Sequence, residues 1–396
     1  MSDMYERILV KQLRERLQEP RHFMQIVVGP RQTGKTTAVG QAIEGLNLPC
    51  HVVSADDPTI LDREWIRREW DMARALQSES GGTVVLVLDE IQKIEQWSSI
   101  VKLCWDEDTR TRTPLLVVLT GSSPLLLQRG LSESLMGRFE VLYCPHWNYA
   151  ECASAFGYSL EDFLFFGGYP GTASLVNDEV RWARYMGTSI VEPTISQDVL
   201  ALENVRKPAL LRSLFILGAT CSAQELSLTK VQGQLQDAGN ITTLAHYLTL
   251  LDKAGVLCGL QKYTATPLAS RQSSPRFMVY DTSLMTYACG ASRQRLLADP
   301  TSRGHLVESA VGAYLLARGQ EDGFDVFYWR ERSEEVDFVI QRGTSVTAIE
   351  VKSGGVKKPH GSLAFMQAFP QARGLLVGST GCTLEDFLTG KVPLFL

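Results

Sequence analysis

Short apolar runs alternate with helical stretches in the first third of the chain. The apolar runs predict strands at residues 23–28, 51–54, 84–88 and 115–119. Helical stretches lie between them, for example at residues 65–77 and 97–105. Strands that alternate with helices along a chain are typical of a parallel sheet covered by helices on both faces. The first third is therefore predicted to be an α/β domain.

The pattern changes near residue 145, where this alternation ends. Residues 149 to about 217 are predicted to be helical, with a glycine-rich interruption at 167–171. The next stretch, 221–263, has the outline of a winged helix. Its helix, turn, second helix and strand pair are predicted at 227–236, 237–240, 242–254 and from 256 onward. A Ser- and Pro-rich patch at 266–275 is predicted to be a wing or an exposed loop.

The last third, from about residue 303, predicts the order helix, strand, strand, strand, helix, strand. A chain of 396 residues is longer than one hydrophobic core usually fills. We therefore predict three domains: an α/β domain over 1–145, a helical and winged-helix-like domain over 146–300, and a second α/β domain over 301–396.

The end of the first predicted strand carries a complete phosphate-binding pattern. Residues 29–36 match G-x-x-x-x-G-K-[ST] at every fixed position, and a predicted helix follows. Such a loop directs backbone N–H groups at nucleotide phosphates, while Lys35 reaches the β and γ oxygens and Thr36 holds Mg²⁺. The predicted nucleotide-binding residues here are Gly29, Pro30, Arg31, Gln32, Thr33, Gly34, Lys35, Thr36 and Thr37.

The third predicted strand ends in two carboxylates, Asp89 and Glu90. In enzymes with a phosphate-binding loop, such an aspartate holds Mg²⁺ and the following glutamate can polarise the attacking water. The alternative is a buried strand whose polar end only meets solvent. Because the strand follows a complete phosphate loop, the first interpretation is favoured, and ATP and Mg²⁺ are the predicted cofactors.

Composition and charge narrow the classes of function that remain. The formal net charge of -5 gives no global basic field, so any DNA or RNA contact must come from local patches. The eight cysteines include no C-x-x-C pair, which indicates reduced thiols rather than a disulfide framework or a zinc site. No apolar run approaches the roughly 18 residues of a membrane span, so we expect a cytoplasmic protein without a membrane partner.

The second helix of the winged-helix outline is the candidate for reading DNA. His246 and Lys253 are its possible cations, whereas phosphate contact normally needs several Lys or Arg side chains. The helix is better suited to packing or to a protein partner. A DNA or protein partner of the C-terminal half stays open at this point.

The last third contains a second chemical pattern. Strand periodicity places Glu350 and Lys352 on one face of a strand, and Asp337 lies on the strand before it. With Glu308 on the preceding helix, this D…E-x-K arrangement resembles the restriction-endonuclease-like core. The resemblance implies that Glu308, Asp337 and Glu350 hold a metal ion and that Lys352 stabilises the nucleophile or the charge on the leaving group. The alternative is a polar hairpin face, or a scaffold without turnover.

The motifs GPRQTGKTT, LVLDEIQ and LTGSSPLLLQRGLSESLMGR together resemble a prokaryotic family of AAA-type ATPases. Its members join an N-terminal ATPase to a C-terminal domain of unknown function, and the resemblance extends through FGGYP and YDT to the last third. It implies that Thr120 or Ser122 senses the γ-phosphate. No second sensor helix motif of common AAA proteins is found, which argues against a ring-shaped oligomer.

Arg138 is the candidate arginine finger, acting in cis or from a neighbouring subunit of a homo-oligomer. The alternative for Arg138 is an ordinary surface ion pair. The sequence as a whole favours an ATP-hydrolysing molecular switch with a nuclease-like C-terminal domain. Its rivals are an ATP-regulated, metal-dependent nuclease that acts on DNA, and a non-enzymatic, nucleotide-gated protein-interaction module.

Overall fold

The structure is a computed structural model that divides into two compact units, residues 1–145 and 146–396. The residues it describes are 5–56, 64–121, 134–199, 205–235, 239–264, 273–353, 360–378 and 381–395. No helix among the described residues is long and apolar enough to cross a membrane.

A five-stranded parallel sheet forms the centre of the first unit. Its strands are β1 Met24–Val28, β2 Cys50–Ser54, β3 Val84–Asp89, β4 Leu115–Gly121 and β5 Phe139–Tyr143. They lie in the order β2-β3-β4-β1-β5, and every pairing is parallel. The α/β prediction is confirmed, although the sequence analysis missed β5.

Helices cover both faces of this sheet. They are α1 Ile8–Gln18, α2 Lys35–Glu44, α3 Glu64–Ser80 and α4 Trp97–Thr111. Alternate residues of β1 point to opposite faces, so Ile26 belongs to the core with α3 and α4 while Val27 belongs to the core with α1 and α2. Side chains such as Trp70 and Leu13 are fully buried, and each such burial contributes about 1.5–3 kcal/mol.

The helical part of the second unit comes first in the chain. Its α-helices are α5 Tyr149–Phe156, α6 Leu160–Phe166, α7 Glu179–Tyr185, α8 Pro208–Thr220, α9 Leu228–Gln234 and α10 Ile241–Lys253. An antiparallel pair follows, β6 Leu257–Leu260 with β7 Arg276–Val279. Helices α9 and α10 and this strand pair lie where the elements of the winged-helix outline were predicted, whereas α5–α8 precede it. Most of the predicted wing lies outside the described residues.

The C-terminal part is a four-stranded mixed sheet with helices. Its strands are β8 Asp325–Glu331, β9 Glu334–Arg342, β10 Ser345–Lys352 and β11 Arg373–Gly378, in the order β11-β10-β9-β8. Two helices precede this part, α11 Thr282–Cys289 and α12 Arg293–Ala298. Its own helices are α13 Pro300–Asp322, α14 His360–Ala368 and α15 Leu384–Leu388. The predicted order of helix, three strands, helix and strand is confirmed.

The glycine-rich motif at 167–171 packs against a buried carboxylate. Gly168 N donates to Asp281 Oδ2 at 2.6 Å, and Asp281 Oδ1 accepts from the backbone of Ser283 at 3.0 Å. Gly167 has φ +68°, and a Cβ there would lie 1.9 Å from Asp281 Oδ1. Burial raises the pKa of Asp281 to about 6, although the hydrogen bonds from Ser283 and Gly168 act in the opposite direction. The two motifs FGGYP and YDT therefore pack against each other in the folded chain.

Candidate active site

The phosphate-loop residues connect the end of β1 to the start of α2, with Lys35 as the first residue of the helix. Gly34 has φ +90° in the left-handed region, which favours glycine. A Cβ at Gly29 would lie only 2.1 Å from the carbonyl oxygen of Cys144, which follows β5. Both fixed glycines are therefore required by the backbone path of this loop.

Thr36 lies beside the carboxylate that ends β3. The Thr36 hydroxyl donates to Asp89 Oδ2 at 3.1 Å, and Asp89 is buried. Lys35 Nζ donates to the carbonyl oxygens of Gly29 at 3.1 Å and Pro30 at 2.7 Å. The structure thus brings together the loop lysine, the threonine and the aspartate that the sequence analysis assigned to ATP and Mg²⁺.

Thr120 joins the same cluster from β4, the neighbouring strand. Its hydroxyl donates to Asp89 Oδ1 and also accepts from Glu90 N at 3.4 Å. Thr120 is fully buried, so this contact fixes the carboxylate that faces Thr36. Of the two candidate γ-phosphate sensors, Thr120 lies at the cluster, whereas Ser122 lies outside the described residues.

Glu90 follows Asp89 with a left-handed backbone, at φ 53° and ψ 35°. A non-glycine residue in this region costs on the order of 1–3 kcal/mol, and such residues cluster at functional sites. Gln92 Nε2 donates to Glu90 Oε2 at 2.5 Å. The backbone strain lies at the residue predicted to activate water.

Arg7 is a residue of this site that the sequence analysis missed. Its Nη1 donates to Thr33 O at 3.2 Å, to Pro145 O at 3.1 Å and to Cys144 Sγ at 3.2 Å. Arg7 is 5% exposed, so a charged guanidinium is buried against the phosphate loop and the segment after β5. Arg7 belongs to no motif and precedes the first strand, so only a long-range contact identifies it.

Arg138 lies at the end of the sheet where the strands begin, whereas the phosphate loop lies at the end where β1 finishes. Its carbonyl oxygen accepts from Met24 N at 2.9 Å, and the next residue, Phe139, pairs with Met24 at the start of β1. The loop begins after Val28, four residues further along, which corresponds to about 13 Å. The arginine finger in cis is therefore not supported by this arrangement.

The side chain of Arg138 is engaged in an ion pair on the surface of the first unit. Its Nε and Nη2 donate to the two carboxylate oxygens of Asp106 at 2.7 and 3.0 Å. This hydrogen bonding lowers the pKa of Asp106. The geometry matches the surface-pair alternative, and a contact with the γ-phosphate of a neighbouring subunit stays a prediction.

The four candidate residues of the C-terminal site lie in the second unit. Lys352 Nζ contacts Glu350 Oε1 at 2.9 Å, and Glu350 Oε2 accepts from Ser362 N at 3.1 Å and Ser362 Oγ at 2.9 Å. Asp337 Oδ2 accepts from Val351 N at 2.7 Å. Asp337, Glu350 and Lys352 are therefore neighbours, in the first half of β9 and at the end of β10.

Glu308 approaches this cluster from α13. Burial raises the pKa of Asp337 to about 6, and the negative charge of Glu308 adds to the rise while Arg276 opposes it. Within the described residues, no group of three or more His, Cys, Asp or Glu side chains is arranged to hold a metal ion. The predicted metal site of Glu308, Asp337 and Glu350 is thus not supported by the side-chain arrangement.

Three family models match the chain in succession. Residues 21–153 match an AAA domain. Residues 157–295 match one domain of unknown function (DUF8612), and residues 303–385 match another (DUF4143). The chain therefore carries an N-terminal AAA domain with a P-loop fold, followed by two domains of unknown function, and the resemblance described above is confirmed.

An uncharacterized protein of Methanocaldococcus jannaschii is 23% identical over 278 residues, which are 64% of this chain and 58% of that protein. The chain thus spans less than two thirds of that relative. A Walker-type ATPase of Pyrococcus abyssi shares 16% identity at a TM-score of 0.47, covering 71% of this chain and 95% of that one.

Two further solved structures are similar to the chain. The AMPPCP-bound DnaA of Aquifex aeolicus shares 16% identity at a TM-score of 0.34, covering 62% of this chain and 87% of that one. The Orc1 protein of Aeropyrum pernix in complex with DNA shares 12% identity at a TM-score of 0.31, covering 72% of this chain and 91% of that one.

Proposed function

We propose that the protein binds ATP with Mg²⁺ and hydrolyses it, so that its AAA domain acts as a nucleotide-controlled switch. The observation that carries the proposal is the cluster at the end of β3, where Thr36 and Thr120 each hydrogen-bond one oxygen of Asp89. A carboxylate held between two hydroxyls beside a complete phosphate loop suits Mg²⁺–triphosphate chemistry.

Each residue of the cluster has a separate task in this proposal. Lys35 would exchange its bonds to the loop carbonyls for phosphate oxygens and compensate their charge. Thr36 and Asp89 would hold Mg²⁺, which neutralises charge that develops on the phosphates. Glu90 would orient the attacking water, and Thr120 positions Asp89.

Two measurements on three variants test the proposal. Lys35→Ala should lose nucleotide affinity in calorimetric titration, because triphosphate charge is left poorly compensated. Glu90→Gln should keep affinity but release little phosphate, because only water activation is removed. Lys11→Ala is the matched control, since Lys11 is an exposed lysine paired with Glu15 on α1.

Wild-type phosphate release from the Glu90→Gln protein would show that Glu90 is not the base. Unchanged ATP affinity of the Lys35→Ala protein would overturn the assignment of the whole site. Nucleotide binding by the wild type without any phosphate release would instead favour the nucleotide-gated interaction module.

We infer a protein rather than a nucleic acid as the partner of helix α10. Its exposed residues include Ile241, Ala245 and His246, and only Lys253 adds a permanent positive charge. Phosphate contacts normally require several such charges. Fluorescence anisotropy with duplex DNA at low and high salt is the test. Tight, strongly salt-dependent binding that Lys253→Ala reduces would overturn the inference.

A further inference from the structure

A buried arginine contacts the carboxylate that the nuclease-like pattern assigns to a metal. Arg276 comes from β7, at the end of the winged-helix outline, and is 2% exposed. Its Nη1 donates to Asp337 O at 3.2 Å and lies 3.6 Å from Asp337 Oδ1. Its Nη2 donates to Glu335, two residues earlier on β9. Arg276 thus joins β7 to β9 through both backbone and side-chain contacts.

Three of the four oxygens of the two central carboxylates accept a hydrogen bond or a close ion pair from the chain itself, and the fourth, Asp337 Oδ1, faces a guanidinium at 3.6 Å. Lys352 and Ser362 serve the two oxygens of Glu350. The backbone N–H of Val351 serves Asp337 Oδ2, and Arg276 faces Asp337 Oδ1. Each oxygen of Glu350 and Asp337 therefore already has a donor or a cation of the protein beside it.

A divalent ion at these oxygens would have to compete with these donors. Ca²⁺ and Mg²⁺ bind oxygens at about 2.0–2.6 Å, closer than the protein donors now lie, and both ions need several oxygen ligands. The guanidinium of Arg276 cannot lose its proton and cannot leave its buried position without leaving partners unpaired. The donor set therefore does not fit a resident metal ion.

We propose that Arg276 is the internal counter-ion of Asp337 and that, with the Lys352–Glu350 pair, it closes the D…E-x-K cluster as a metal-independent ion network. The network fastens β7 to the C-terminal sheet. A hydrolytic metal centre would need open positions, whereas the oxygens of Asp337 and Glu350 here face donors or the guanidinium of the chain. The proposal is independent of the ATP site, which lies in the first unit.

Metal titration of the intact wild-type protein is the first test. Unfolding temperature and calorimetry are measured with MnCl₂ or MgCl₂ in the absence of nucleotide, on wild type and on Asp337→Asn. We expect the same response from both proteins. Saturable Mn²⁺ binding or stabilisation that Asp337→Asn abolishes would overturn the proposal. This test does not require any arginine variant to fold.

A double-mutant cycle is the second test. Arg276→Met should lower the unfolding temperature strongly, because it leaves a buried carboxylate uncompensated. Asp337→Leu is the second single variant, and the double variant Arg276→Met with Asp337→Leu should be more stable than Arg276→Met alone. Arg330→Met is the control, since Arg330 forms a half-exposed pair with Glu225 in the same unit and should change little. Additive effects of the two substitutions would refute the counter-ion assignment.

Discussion

Replacing Arg7 with methionine removes a buried guanidinium that contacts the phosphate loop. Methionine has a similar length but donates no hydrogen bond, so the carbonyls of Thr33 and Pro145 lose this donor. A hydrogen bond from a charged group contributes about 1.5–3 kcal/mol, so loss of the two carbonyl contacts corresponds to about 3–6 kcal/mol. The cost is partly offset because methionine adds apolar burial.

The same substitution should weaken nucleotide binding. Thr33 lies inside the phosphate loop, and each 1.4 kcal/mol needed to hold the loop in its binding form reduces affinity about tenfold. We therefore expect ATP affinity to fall by about tenfold or more, with a smaller effect on the turnover number at saturating ATP. A change confined to affinity indicates a positioning residue.

Urea unfolding and calorimetric ATP titration measure the two effects. Arg7→Lys should recover part of the stability and part of the ATP affinity, because lysine keeps the positive charge but not the planar set of guanidinium donors. Lys11→Met is the control on the same helix, at an exposed position. If Arg7→Met unfolds and binds ATP as the Lys11→Met protein does, the supporting role of Arg7 is refuted.

Three further predictions follow from contacts described above. Arg138→Ala should leave ATP turnover of dilute protein unchanged and cost at most about 1 kcal/mol of stability, because its pair with Asp106 is partly exposed; a large loss of turnover would revive the arginine finger. Gly167→Ala should destabilise the second unit by about 2–4 kcal/mol in urea unfolding, since it combines a left-handed backbone with a steric overlap on Asp281. The Asp281 carboxyl has its pKa raised from 3.8 to about 6 in the folded chain. Its contribution to stability should therefore be greatest below pH 4 and should fall by up to about 3 kcal/mol as pH rises through 6. Asp281→Asn should remove this part of the pH dependence of unfolding, and an unchanged profile would contradict the assignment.

The ATP cluster could be predicted from the sequence because local pattern and sheet geometry agree there. Lys35 and Thr36 follow one parallel strand, and Asp89 ends another. The carboxyl ends of parallel strands meet at one edge of a sheet, so the residues converge without further information. Thr120 follows the same rule on a third strand.

Arg138 shows where this reasoning stops. Its place depends on β5, an edge strand of only five residues that is mostly half-buried and was missed. Because Phe139 starts that strand beside Met24, Arg138 lies at the amino-terminal end of the strands, away from the phosphate loop. Arg7 and Arg276 act over long sequence separations, so no local pattern reveals their partners.

The glycine-rich motif of the second unit was visible in the sequence, but its reason was not. Gly167 is needed because Asp281, more than a hundred residues later, occupies the space of a side chain, and Gly168 because the carbonyl oxygen of Trp147 does. Steric exclusion of this kind is fixed by the packed fold rather than by the local chain.

The helix before the first strand has a practical consequence for dissecting the protein. The AAA family match begins at residue 21, after α1 has ended. Yet α1 buries Leu9, Val10 and Leu13 in the core shared with α2, and Arg7 precedes it. An expression fragment cut at the family boundary would expose part of one face of the five-stranded sheet to water and remove the arginine beside the phosphate loop. Inactivity of such a fragment would therefore report damage to the fold rather than a missing domain.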